Sequence, residues 1–226
     1  MMLGLFDRRP RWAPTLRGWL CLGLLLVGTT GATFWTIYPF LAANAPLAAE
    51  VLVVEGWIPD YAILRCAMEM KAGSHTHVLT VGGPVTGVAS PAADDDTHAY
   101  QAAKIFVRAG WAPGTVAYVA SNRVSRDRTF HSAITLKSWL EKKQLQPRAI
   151  NVVTLGAHAR RSRMLFQRAL GPDVEVGIIS IPNQEFEPAS WWRYSEGVKE
   201  VLSEAAGYLY ARFFFFPSAA DEARDP

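Results

Sequence analysis

Residues able to do chemistry concentrate in one stretch, Ala149 to Leu170, with the sequence AINVVTLGAHARRSRMLFQRAL. It opens as a β-branched run, Ile150 to Thr154, set between Pro147 and Gly156, which predicts a buried strand. A helix is expected next, from about His158 to Leu170. His158, Arg161, Ser162, Leu165 and Ala169 fall on one face of it. The first turn of that face is polar and cationic, carrying His158, Arg160, Arg161 and Arg163. Cations at a helix N-terminus oppose the helix dipole, whereas free backbone N–H groups there favour negative charge. The cluster therefore predicts an anion at that place, with His158 and Arg161 beside it. A solvated basic face is the plain alternative.

Around this stretch the chain alternates short apolar runs with helical patterns. Val51 to Val54, His77 to Val81, Thr115 to Ala120, Ala149 to Thr154 and Val174 to Ile179 read as five strands. Helices are expected over Asp60 to Met70, Thr97 to Ala109, Thr129 to Lys143 and His158 to Leu170. Ser190 to Phe215 reads as one long C-terminal helix. This alternation predicts an α/β fold, a Rossmann-like, doubly wound, mainly parallel five-stranded sheet preceded by one transmembrane helix. The strands are continuous apolar runs, as buried parallel strands are.

In such a sheet, ligands bind beyond the carboxyl ends of the strands. The expected site collects Glu55 after the first strand and Gly82 and Gly83 after the second. Ser121, Asn122, Arg128 and Thr129 follow the third, and Thr154, His158 and Arg161 follow the fourth. Paired glycines would let backbone N–H groups approach a ligand. His158 and Glu55 are the candidate catalytic groups, by proton transfer. The other eight are candidate ligand-binding residues. Neither a GxGxxG fingerprint nor a P-loop is present, and Ser121 lacks a GxSxG elbow. Asp127 is expected to cap the helix after it. His131 reads as packing. Asp94, Asp95, Asp96 and His98 could ligate a metal, but adjacent acids before a helix read as a solvated loop, and no metal is assigned.

The chain has 226 residues, half of them hydrophobic, and a mean hydropathy of +0.08, which is high for a soluble domain. Residues 1–18 form a basic head with Arg8, Arg9, Arg11 and Arg17, and residues 19–43 carry no charge. A bilayer span needs roughly 20 apolar residues. The arginines predict a cytoplasmic N-terminus and a periplasmic domain, with Trp19, Trp35 and Tyr38 at the interfaces. A signal peptide cut after Ala43-Asn44-Ala45 is the rival, disfavoured by the length of the run and by Pro46. Asn44 to Ala49 reads as a tether, residues 50–216 as the α/β domain and residues 217–226 as a disordered tail. Two cysteines, Cys21 and Cys66, give neither a disulfide nor metal spacing. A net charge of +3 without a reading motif disfavours nucleic acid. The aromatic run Tyr208 to Phe216 is too short to span and is expected at the membrane interface.

The motifs, in order, resemble the SanA/ElyC/YdcF-like family of bacterial envelope-associated domains. TLGAHARRS at Thr154 to Ser162 is similar to its T-S-x-Y-H-M-x-R-A motif, with Thr154, His158 and Arg161 on the Thr, His and Arg. Arg128 to Ala133 resembles its S-T-x-E-N-A stretch, keeping Thr129 and Ala133. Gly82-Gly83 matches its glycine pair and Arg65 the arginine of its first helix. The resemblance spans roughly Glu50 to Ile179. The family's Glu and Asn are His131 and Ser132 here, and its S-E-A is Thr97-His98-Ala99. The resemblance implies a Rossmann-like fold and an inner-membrane protein of envelope biogenesis, in peptidoglycan or carrier-lipid metabolism. It implies a phosphorylated or nucleotide-like ligand, with no cofactor or protein partner identified. As an enzyme it would be a hydrolase or transferase. The alternatives are a non-catalytic ligand-binding module and an envelope scaffold.

Overall fold

The computed structural model describes residues 15–70, 75–85, 96–124 and 126–217. The basic head before Thr15, the acids Asp94 and Asp95, and the tail after Pro217 lie outside them. Two compact units divide the chain, one ending at Ile37 and the other starting at Tyr38.

The first unit is formed by most of α1 (Leu16–Leu41), which is long and apolar enough to cross a membrane. At 1.5 Å per residue its 26 residues extend about 39 Å, against a hydrocarbon core of about 30 Å. None of its apolar window is buried.

The second unit is a five-stranded, all-parallel sheet in the order β3-β2-β1-β4-β5. The strands are β1 (Val51–Glu55), β2 (His77–Gly82), β3 (Val116–Ala120), β4 (Ala149–Leu155) and β5 (Glu175–Ile181). Between them run α2 (Asp60–Met70), α3 (His98–Arg108), α4 (Arg128–Lys142) and α5 (Ala159–Leu170); α6 (Ser195–Phe213) follows. Successive strand side chains point to opposite faces. Val51, Val53, Ile150 and Val152 therefore pack with Phe130, Leu136, Leu165 and Phe166 of α4 and α5, while Leu52, Val54 and Val153 pack with Ile63, Cys66 and Phe106 of α2 and α3. Each such side chain fully buried stabilises the fold by about 1.5–3 kcal/mol. Cys66 is fully buried, and burial, with Glu69 nearby, pushes its thiol up to about 12, so it is not reactive.

Several expectations change. The expected C-terminal helix is broken. A 3-10 segment, Pro188–Arg193, ends at an extended Tyr194 before α6 begins. The break seats Trp191 in the core and brings the Trp191 carbonyl against Gly197, where a Cβ would lie 2.4 Å from it. Tyr38 does not sit at a membrane interface; it is buried, edge-on to Phe186 with centroids 5.9 Å apart. The expected tether is a packed strap. Ala45 bridges Ile178, and the Asn151 side chain both accepts from Leu47 N and donates to Leu47 O at 2.8 Å. The aromatic C-terminus is divided. Ala211 and Phe215 are core, with Phe215 on Phe130, whereas Phe213, Phe214 and Phe216 are exposed.

Candidate functional site

The strand order reverses direction between β1 and β4, so a crevice is expected at their carboxyl ends. A cleft of about 980 Å³ lies there. Its walls include Gly82, Gly83, Ser121, Asn122, Arg128, Thr129, His158 and Arg161, eight of the ten residues singled out from the sequence. Trp57, His98, Arg123, Arg126, Asp127, Ser132 and Glu204 complete the polar and aromatic lining.

His158 is the pivot. β4 ends at Leu155, and a 3-10 turn, Gly156–His158, carries the chain into α5. Gly156 takes φ +45°, and a Cβ there would lie 2.4 Å from the Glu200 carboxylate. Only glycine meets both conditions without strain. That close approach lets Glu200 accept from Ala157 N at 3.0 Å and from Asn183 Nδ2 at 2.7 Å.

The His158 ring is nearly buried and is held on both nitrogens. Nδ1 lies 3.0 Å from Glu204 Oε1, and Arg161 Nη2 is also 3.0 Å from Nδ1. An ionised carboxylate only accepts and a guanidinium only donates, so Nδ1 donates to Glu204 in one tautomer and accepts from Arg161 in the other. Arg161 is itself paired fork-to-fork with Glu204, at 2.8 and 3.0 Å. In the Nδ1-protonated tautomer, Nε2 is the acceptor. It faces Thr129 Oγ1 at 3.4 Å and Glu55 Oε2 at 3.7 Å, and Trp57 packs edge-on to the ring at 4.9 Å. Burial works to raise the Glu204 carboxyl, but the bonds and charges of His158 and Arg161 outweigh it and hold it at about 2.

Two expected site residues stand behind the wall. Glu55 is 2% exposed, takes a 2.8 Å bond from Ser162 Oγ and does not line the cleft. Thr154 is fully buried, and its Oγ1 has no partner. Glu55 therefore reaches the cleft only through His158. His131 is buried off the cleft, with Nε2 unpartnered. Asp127 does not cap α4. It adopts a left-handed backbone, φ 53°, makes no side-chain capping bond, and lines the cleft instead. The Ser121 and Ser132 hydroxyls lie 3.4 Å apart, each facing the other. His98, at the far wall, is pushed below its ordinary value by burial and by the nearby Arg128. No three His, Cys, Asp or Glu side chains converge as a metal site among the described residues.

The arginine cluster of α5 is satisfied largely from within. Arg160 donates to the Phe40 carbonyl and covers its ring, Arg161 pairs with Glu204, and Arg163 Nε donates to Val176 O at 2.8 Å. Negative charge at this helix start comes from Glu200 and Glu204, both on α6. The other arginines of the cleft wall are Arg123 and Arg126, before α4, and Arg128, its first residue, with Asp127 among them.

Glu200 and Glu204 are the functional residues that sequence reasoning missed. Their signal is a four-residue carboxylate spacing, Glu196, Glu200 and Glu204, in a helix otherwise rich in apolar residues. Chemically, the arrangement offers an oriented imidazole, a fixed carboxylate behind it and a cationic rim. Comparison with family models, with curated proteins and with solved structures finds no match to this chain.

Proposed function

We propose that the chain is a membrane-anchored bacterial envelope protein whose Rossmann-like domain binds a phosphorylated ligand and transfers or hydrolyses its phosphoryl group. The observation that carries this reading is the His158–Glu204 pair at the wall of a cleft lined also by Arg123, Arg126 and Arg128. Arg123, Arg126 and Arg128 attract and hold the phosphate. The Nε2 lone pair takes a proton from an attacking water or hydroxyl. The new O–P bond forms as the ester P–O bond breaks, and the leaving oxygen takes up a proton. Glu204 keeps the imidazole in the required tautomer and stabilises its charged form.

The motif resemblance to SanA/ElyC/YdcF-like proteins supports a place in peptidoglycan or carrier-lipid metabolism, with the domain in the periplasm and the basic head in the cytoplasm. Retention of the anchor is supported by the burial of Tyr38 and Leu41, which a cut after Ala45 would remove from the core. A second reading, a module that holds a nucleotide-like ligand without turnover, is favoured by the mutual contact of Ser121 and Ser132, whose hydroxyls face each other rather than His158.

The test is calorimetric titration of the detergent-solubilised chain with inorganic phosphate, followed by phosphate release from phenyl phosphate and an isoprenyl phosphate. Arg128→Ala should weaken phosphate binding by about tenfold to a hundredfold, the equivalent of one charge-assisted bond. His158→Ala should abolish release and spare binding. Binding without release selects the second reading, and no phosphate binding by the intact chain refutes both.

A further inference from the structure

We propose that the outer face of α6 is a lipid-contact surface that lays this helix along the bilayer beside the exit of the anchor. The inference is independent of what the cleft binds. One face of α6 is spent on the domain, through Val201, Ala211 and the pairing of Glu204 with Arg161. The opposite face should then be polar in a water-surrounded helix. Instead Leu202, Ala206, Leu209 and Phe213, spaced by four, three and four residues, are all exposed. This is a second apolar stripe, lengthened past the helix end by Phe214 and Phe216 at 72% and 82% exposure. Contiguous exposed apolar patches of this kind mark interaction surfaces.

Three features commit the stripe to lipid. First, the helix that bears it lies beside the point where the chain enters the domain. The last turn of α1 enters the domain at Tyr38–Leu41, and there the Phe40 ring meets Tyr208 of α6 edge-on, centroids 5.4 Å apart. Phe40 and Tyr208 both belong to the second unit, so residues 38–41 enter the domain beside the helix that bears the stripe. Second, the stripe is too short to span. Leu202 to Phe213 extends about 17 Å at 1.5 Å per residue, roughly half a hydrocarbon core, so the helix lies along the surface. Third, its composition suits the headgroup region. Tyr210 is half-exposed, and Arg212 sits with its guanidinium 5.5 Å from the Phe213 ring, a cation beside an aromatic ring facing anionic headgroups. Because α1 already holds the domain at the membrane, even weak contact acts at high effective concentration.

The experiment uses the full chain with Cys21→Ala; Cys66 is fully buried, so an introduced cysteine is the accessible thiol. Leu209→Cys and, separately, Phe213→Cys carry a polarity-sensitive fluorophore, and Glu141→Cys on the exposed side of α4 is the control. Each is reconstituted at one chain per nanodisc of phosphatidylethanolamine and phosphatidylglycerol, with nitroxide on the lipid headgroup or upper acyl chain. The expected result is several-fold stronger quenching at positions 209 and 213 than at 141. Quenching at 209 and 213 no greater than at 141 overturns the proposal. Blue-shifted emission at 209 without lipid quenching also overturns it, because a protein surface then covers the stripe.

Discussion

Replacing Glu204 by glutamine tests the central geometry most directly. The change keeps the shape of the side chain and removes its charge, leaving Arg161 and His158 Nδ1 with a neutral partner. The fall of the Glu204 carboxyl from 4.5 to about 2, at about 1.4 kcal/mol per pH unit, corresponds to about 3 kcal/mol of folding stability. Glu204 is 14% exposed and Arg161 24%, so solvent screens the pair in part, and a loss of about 2 kcal/mol is expected. The sign follows from linkage. A carboxyl depressed in the folded state stabilises it fully above its unfolded value, and that contribution fades as pH falls through the folded value. The difference between wild type and Glu204→Gln should therefore be constant from pH 7 to about 5, shrink below 4.5 and nearly vanish near pH 2. Urea unfolding of the full chain in detergent, followed by tryptophan fluorescence across that range, measures it. Imidazole nitrogen shifts should show a loss of the Nδ1-protonated tautomer in the variant. A stability difference under about 0.5 kcal/mol at pH 7, or one that does not change down to pH 3, refutes the charge-paired account.

Gly156→Ala should cost about 2 kcal/mol or more, from a left-handed backbone and a Cβ driven into Glu200; adding Glu200→Ala should recover only the steric part, as urea midpoints will show. Phe106→Ala should cost about 3–5 kcal/mol, because the ring is fully buried between α3 and the sheet, and a loss under about 1 kcal/mol would contradict the packing. Intact mass of the chain purified from bacterial membranes should include the residues before Ala45; a mature form starting after Ala45 would show that Leu41 is not needed in the core. Alkaline phosphatase fused after Pro226 should be active in whole cells, and low activity from a stable fusion would place the domain in the cytoplasm.

The sheet was legible because β1, β2, β4 and β5 are largely buried apolar runs of five to seven residues, and the edge strand β3 is an apolar run though only partly buried. The order β3-β2-β1-β4-β5 was not, since periodicity records which face a residue takes and not which strand lies beside it. Eight cleft residues were found by a rule of topology, the carboxyl-end crevice, with no need for contacts. Glu204 escaped for the opposite reason. Its partner Arg161 lies 43 residues away, and no local pattern encodes a pair at that separation. The strap from Asn44 to Ala49 was hidden for the same cause, because its holding bonds come from Asn151, 104 residues beyond Leu47. The helix expected over Ser190 to Phe215 failed at Tyr194 because burial of Trp191 overrode local propensity.

The arginines at the start of α5 need no ligand to explain them. A cation near a helix N-terminus is disfavoured by about 0.3–1 kcal/mol. One charge-assisted bond is worth about 1.5–3 kcal/mol, and Arg161 makes two to Glu204. Carboxylates from α6 thus reverse the local penalty and bring their own function with them. Glu200 occupies the backbone N–H of Ala157, and Glu204 orients His158. The helix start is a preassembled mount for one imidazole. On the proposed reading, anion selection falls to Arg123, Arg126 and Arg128, which line the same cleft. A phosphate held there would meet these cations and Nε2. That division of labour makes a specific demand: variants of these arginines should change affinity while leaving the imidazole tautomer intact, and Glu204→Gln should do the reverse.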